Sequence, residues 1–186
     1  DFDTALNKEM IMPEDEYEVF KGKAEDLMAP PKVAKTKYSA VNKVVNEKGD
    51  EINLHSRKNK WLVLFFYPKD MTSGCSQEAA DFGSFYQRFQ DIDCDVYGVS
   101  PDSSQSHQKF IDKLNLPYSL LADSDRELCK AADVWKEKSM YGRKYFGVER
   151  STFIFDHEGN LINQWRKVKI PGHVEDVYNK LKTLVE

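Results

Sequence analysis

WLVLFFY (residues 61–67) runs directly into PKDMTSGC (residues 68–75). Seven apolar residues without a polar break suit a strand covered on both faces, at the centre of a sheet. The run is too short to cross a bilayer and is flanked by Lys60 and Lys69. Residues 76–90 then predict a helix, because Phe82, Phe85, Tyr86 and Phe89 fall at i, i+3, i+4 and i+7 and share one face. Buried strand, tight loop, single cysteine, amphipathic helix: the rest of the chain is read outward from this unit.

Downstream, CDVYGVS (94–100) predicts a second strand and SSQSHQKFIDKL (103–114) a capped helix with Phe110, Ile111 and Leu114 turned inward. YSLLAD reads as a strand, and SDRELCKAADVW as a helix opened by Ser124 or Asp125 as N-cap. After Lys136 the pattern switches. STFIFDHEGNLINQW predicts two strands joined through His157-Glu158-Gly159-Asn160, and residues 173–185 a closing helix with Val174, Val177, Leu181 and Leu184 on one side. Upstream, NKVVNEKGDEINL predicts a hairpin turning at Lys48-Gly49-Asp50. The fold class is therefore α/β: a thioredoxin-like fold with a central mixed β-sheet flanked by helices and an extra N-terminal β-hairpin.

Residues 1–36 differ from this pattern. They carry nine acidic and five basic residues and Pro13, Pro30 and Pro31, with a short helical piece within 14–28 at most. The division expected is an acidic extension, 1–36, partly helical or flexible, and a thioredoxin-like domain, 37–186. The extension holds the whole net charge of −4; the remainder balances at 22 acidic against 22 basic residues. An electrically neutral body gives no reason to expect nucleic acid as partner. The basic run RKVK (166–169) reads as a solvated edge. With no long apolar run, no membrane association is expected either. The charged first thirty residues do not form a secretory signal. Three cysteines, an odd and small number, argue against a disulfide framework and favour a reducing compartment, the cytoplasm by default. An organelle stays open should a targeting segment have been removed. No CxxC, HExxH or clustered Cys/His set is present, and His55, His107, His157 and His173 are scattered, so no metal is expected.

Cys75 stands where the loop after a central strand meets the first turn of a helix. That edge of an open α/β sheet is where ligands bind. A helix N-terminus offers free N–H groups and a partial positive charge, which stabilise a thiolate. Gly74 lets the backbone approach without a Cβ. Thr72 can aim a hydroxyl at the sulfur or at a bound oxygen, and Pro68 fixes the entry of the loop and lacks an N–H. Cys94 in a strand and Cys129 on a helix read as small buried hydrophobes.

PKDMTSGC also fits the P-x-x-x-T-x-x-C motif, with Pro68, Thr72 and Cys75 in register, and so resembles the peroxiredoxins. FFYPKDMTSGCSQEAADF, YGVSPDSSQSHQKF, LPYSLLADSD and YGRKYFGVERSTFIFDHEGNLI resemble, in order, the peroxiredoxin Q or bacterioferritin comigratory protein subfamily, over roughly residues 41–186. The resemblance implies a thiol peroxidase acting on hydrogen peroxide and organic hydroperoxides. Cys75 would be the peroxidatic nucleophile and Thr72 would hold the peroxide. Arg150 would stabilise thiolate and transition state. The N–H groups of Gly74 and Cys75 would donate, and Glu78 would support Arg150. Read by itself, Glu78 is equally a first-turn glutamate favoured by the helix dipole, and Arg150 a surface ion-pair partner. No prosthetic group is implied, and the subfamily suggests a monomer or weak homodimer.

The chain departs from the subfamily where a second cysteine is expected. Ala80 stands five residues beyond Cys75 and Ile111 in the later helix, where members carry a resolving cysteine. A one-cysteine cycle is the expectation, with an external thiol such as thioredoxin, glutaredoxin or glutathione as reductant. An engineered Ala80, or resolution by Cys94 or Cys129 after local unfolding, stays open. Three other classes compete with this reading. A thiol–disulfide oxidoreductase would need a second cysteine where Glu78 stands. A cysteine hydrolase would need a histidine placed beside Cys75. A redox-sensing or chaperone-like interaction module would react once without turnover.

Overall fold

The computed structural model describes residues 44–54 and 60–186. The helical piece expected within 14–28, the boundary at 36/37 and His55 lie outside the described residues. In chain order the elements are β1 (Val44–Asn46), β2 (Glu51–Ile52), β3 (Trp61–Phe66), α1 (Ser73–Asp91), β4 (Cys94–Ser100), α2 (Ser104–Leu114), β5 (Leu120–Ala122), α3 (Glu127–Ala131), β6 (Trp135–Met140), β7 (Arg143–Val148), β8 (Ser151–Phe155), β9 (Leu161–Trp165) and α4 (His173–Val185). Seven strands form one mixed sheet in the order β2-β1-β5-β4-β3-β8-β9; β6 and β7 form a separate two-stranded sheet. The α/β thioredoxin-like architecture is the one expected, and the leading hairpin extends the sheet, β1 pairing antiparallel with β5.

β3 lies between parallel β4 and antiparallel β8. Its side chains alternate between two cores. Val63, Phe65 and Tyr67 join Phe82, Phe89, Phe110, Val174, Val177 and Leu181; Leu62, Leu64 and Phe66 join Val99, Leu121, Leu128, Phe153 and Phe155. An uninterrupted apolar run is what such two-sided burial requires. The close passage of strands here needs a glycine. Gly98 is paired with Phe65 and Leu120, and a Cβ on it would stand 2.7 Å from Phe65 Cζ and 2.7 Å from Leu120 Cδ2. On α1 the expected face is the buried one. Phe82 and Phe89 are enclosed, and Phe85 and Tyr86 cover the flank, with Tyr178 of α4 against Phe85 and Phe89.

Two expectations fail. The helix foreseen over 124–135 is only one turn long, and its N-cap position is not Ser124 or Asp125 but Arg126, in the left-handed region at φ +63°, although Asp125 Oδ1 accepts from Glu127 N at 3.2 Å. The orphan N–H groups of Leu128 and Cys129 are taken instead by Asp123, at 3.0 and 2.7 Å. A left-handed Asp133 (φ +56°) then turns the chain into β6. The β6–β7 hairpin itself was not foreseen. Its turn, Tyr141-Gly142, has two positive φ angles (+51° and +76°) and so needs residues tolerant of the left-handed region. A tyrosine in the first place hides the usual Asn-Gly signal. Among the described residues no helix is long and apolar enough to cross a membrane.

Candidate functional site

The sheet register brings the site together. Phe66, the last residue of β3, lies opposite Ser151, the first of antiparallel β8. Arg150, one residue earlier, therefore stands at the edge of the sheet where the loop 67–72 emerges. Thr72 then adopts an extended conformation (φ −79°, ψ 152°) as N-cap, its carbonyl accepting the first helical bond from Ser76 N at 2.9 Å. Cys75 falls in the first turn of α1, where N–H groups have no intrahelical acceptor. No side chain caps this end either. The N–H groups of Ser73, Gly74 and Cys75 thus have no acceptor within the helix and no side-chain cap.

Cys75 is 1% exposed and belongs to the first core. Arg150 Nη2 donates to its Sγ at 3.1 Å, while Nη1 donates to Glu78 Oε1 at 2.8 Å. Glu78 follows Cys75 by one helical turn, so the two side chains share a face and one guanidinium spans both. Neither Glu78 nor Arg150 is a solvated surface group, Glu78 being fully buried and Arg150 largely so. Its second oxygen, Oε2, has no hydrogen-bond partner. Burial pushes the Glu78 carboxyl up to about 7, against the opposing pull of Arg150. For Arg150, burial pulls downward, yet Glu78 and Cys75 together outweigh it and hold the guanidinium above its ordinary value.

Gly74 has a steric reason to be glycine. A Cβ there would meet Ile170 Cδ1 at 3.2 Å and Arg150 Nη2 at 3.6 Å. The Thr72 hydroxyl donates to Lys69 O at 3.0 Å. Pro68 follows Tyr67, whose N–H donates to Val99 O at 3.0 Å just past the end of β3, and itself offers no N–H. RKVK is not wholly a solvated edge. Arg166 donates to the carbonyls of Asp133 and Ala132, and Val168 N donates to Arg150 O at 3.0 Å, so this segment braces the arginine.

Sequence reasoning missed Lys138 on β6. It donates to Val148 O at 2.5 Å and lies across Gly147, whose Cβ would be 3.4 Å from Lys138 Cδ. Burial and the neighbouring Arg150 push its ammonium below the ordinary value, and the Cys75 sulfur pulls it back up, so the side chain shares the field of the site. Finding it needed the hairpin. His173, at the start of α4, is held by Thr152 Oγ1 at 2.7 Å; burial pushes it down to about 4, with Arg150 assisting and Asp176 opposing. It is a neutral core histidine. Among the described residues one group has the composition of a metal site, Asp70, Asp102 and His107. Both oxygens of Asp70 already face donors from Tyr67, Ser106 and His107. That arrangement is a hydrogen-bonded network, not an open ligand set.

The remaining thiols are remote. Cys94 is opposite Trp61, at the far end of β3 from the loop, roughly 17 Å of strand away. Cys129 belongs to the second core, across the sheet, where burial and then Asp123 push its thiol far up.

Comparison with known proteins identifies the family and the fold. Residues 28–164 match the model of the AhpC/TSA family. Peroxiredoxin Bcp of Bacillus subtilis (strain 168) is 49% identical over 138 residues, 74% of this chain and 88% of the relative. Peroxiredoxin Q of Xanthomonas campestris superposes with a TM-score of 0.75 at 40% identity, over 77% of this chain and 91% of that one. A structure of the bacterioferritin comigratory protein from the same organism, concerned with its alkyl peroxide reduction activity, gives a TM-score of 0.74 at 40% identity over 77% and 92%. The chain belongs to the AhpC/TSA family, and within it to the Bcp, or peroxiredoxin Q, group of peroxiredoxins, which are thiol peroxidases.

Proposed function

We propose that Cys75 is the peroxidatic residue and that the chain reduces hydrogen peroxide and organic hydroperoxides in a one-cysteine cycle. The observation that carries this is the single guanidinium of Arg150, bonded at once to Cys75 Sγ and to buried Glu78. A cation fixed in a dry site stabilises the charge that spreads over the breaking O–O bond. The thiolate attacks one peroxide oxygen. The O–O bond breaks, the departing RO⁻ takes a proton and leaves as alcohol or water, and Cys75 becomes a sulfenic acid. Thr72, its hydroxyl proton already given to Lys69 O, accepts the hydrogen of the peroxide and so orients it. The first-turn N–H groups of Gly74 and Cys75 donate to the reacting oxygens, and Pro68 keeps that side of the loop free of a competing donor.

An external thiol, of the thioredoxin, glutaredoxin or glutathione kind, then condenses with the sulfenic acid, releasing water. A second thiol equivalent displaces the first as a disulfide and restores Cys75. The positions of Cys94 and Cys129 support the absence of an internal resolver, since a disulfide needs Cα atoms within roughly 7 Å. Organic hydroperoxides are included because the X. campestris relative is described for alkyl peroxide reduction. The protein acts as monomer or weak homodimer in a reducing, cytoplasmic setting, with residues 1–36 as an appendage to the catalytic domain.

The test is turnover of hydrogen peroxide and cumene hydroperoxide with dithiothreitol, glutathione and a thioredoxin system. Cys75→Ser abolishes turnover with every donor, and Cys94→Ser and Cys129→Ser keep it within about twofold. Loss of turnover in either of the latter, with Cys75 still oxidised by peroxide, would refute the one-cysteine cycle. A single stoichiometric reaction without turnover would point to the sensor.

A further inference from the structure

Asp70 sits inside the catalytic loop, five residues before Cys75, yet its side chain is 1% exposed and faces away into the molecule. Oδ1 accepts from Tyr67 Oη at 2.6 Å; Oδ2 accepts from Ser106 Oγ at 2.8 Å and lies 2.8 Å from His107 Nδ1. Its backbone N donates to Asp102 Oδ2 at 2.8 Å, an oxygen that also accepts from Ser100 Oγ at 2.6 Å. His107 is fully buried, and its Nε2 is 2.9 Å from the Leu121 carbonyl. A carbonyl only accepts, so Nε2 carries a proton. The Tyr67 proton is committed to Asp70. The contact between Nδ1 and Oδ2 therefore holds one proton, as imidazolium and carboxylate or as imidazole and carboxylic acid. A lone pair facing a lone pair at this distance would repel.

The Asp70 carboxylate thus ties the loop to Tyr67 and to α2, His107 carries the link on to Leu121 of β5, and Asp102 ties the loop backbone to Ser100 of β4. The next residue, Met71, is 42% exposed and left-handed at φ +68°, a conformation that a non-glycine side chain enters only where its neighbours hold it. One residue later Thr72 starts α1 and its open N–H groups.

We propose that Asp70 and His107 are positioning residues for the peroxidase reaction, a buried proton-sharing pair that clamps residues 68–72 so that the first turn of α1 presents Cys75 to peroxide. The proposal rests on Cys75 as the peroxidatic thiol but is tested apart from it, because labelling of Cys75 is read independently of its oxidation.

The two amide replacements of His107 divide its bonds. His107→Asn puts an N–H near Nδ1 and keeps Asp70; His107→Gln reaches toward Nε2, keeps Leu121 and releases Asp70. Stopped-flow oxidation by hydrogen peroxide is expected to stay within about threefold of the parent in His107→Asn. It is expected to fall about thirtyfold in His107→Gln and Asp70→Ala, because small misplacements at a reacting centre cost that much. Iodoacetamide labelling of Cys75, followed by mass mapping, is expected to move the other way and rise in the two slow variants, since a loosened first turn uncovers the thiol. Cys94 and Cys129 stay unlabelled. Equal rates in His107→Asn and His107→Gln, or an unchanged peroxide rate in all three, would overturn the clamp. Should a variant label at all three thiols and so prove unfolded, Ser106→Ala decides. That position is half-buried, and the expected loss is about threefold to tenfold; no loss overturns the proposal.

Discussion

At the scale of single residues, Arg150 and Glu78 matter through the geometry they share. Lysine in place of Arg150 keeps the charge but not the fork that reaches Sγ and Oε1 together. Arg150→Lys is expected to lower the rate of Cys75 oxidation by about 10²-fold, read in stopped flow, a loss typical of removing one aimed donor. Glu78 carries a second prediction. The folded chain takes up its proton at about 7, where the ordinary value is 4.5, because burial with one orphaned oxygen outweighs the pull of Arg150. Between these pH values the folded chain keeps a proton that the unfolded chain has released. This carboxylate therefore costs stability as pH rises through the window, and the cost is complete above about 7. Glu78→Gln removes that dependence. Its stability relative to the parent should improve by up to about 3 kcal/mol between about pH 4 and pH 8, measured by urea unfolding. A constant difference across that range would show that Glu78 does not titrate there.

At the scale of elements, β3 and β4 leave no room for a side chain where Gly98 passes. Gly98→Ala drives a methyl into Phe65 and Leu120 within the sheet. A loss of about 1–3 kcal/mol is expected, a fall in Tm of roughly 2–4 °C for each kcal/mol. An unchanged Tm would mean that the strands shift freely. The same scale shows what the sequence could disclose. β3, α1 and α4 were legible because burial writes a period into them: unbroken for a strand enclosed on both faces, 3.6 for helices with one buried face. β6 and β7 were not, because most of their residues face solvent and their charged and aromatic residues follow no buried period. Lys138 stayed hidden with them. The short α3 was overread because helix-favouring residues continue past Ala131, while Asp123, four residues before the helix, does the capping. Cys75, Gly74 and Arg150 were legible from loop and motif, but only register explains how residues 75 positions apart meet.

At the scale of the whole molecule, the chain keeps one thiol at the sheet edge under a cation and places the other two at the far end of the strands and in the opposite core. That distribution supports the proposed one-cysteine cycle, which is the central claim. The most direct test is the intact mass of the full chain after one equivalent of hydrogen peroxide, with and without dimedone, followed by mapping of the modified residue. The account predicts one dimedone adduct, on Cys75, with Cys94 and Cys129 still reduced. A loss of two hydrogens with no adduct, mapped to a disulfide between Cys75 and Cys94 or Cys129, would contradict it.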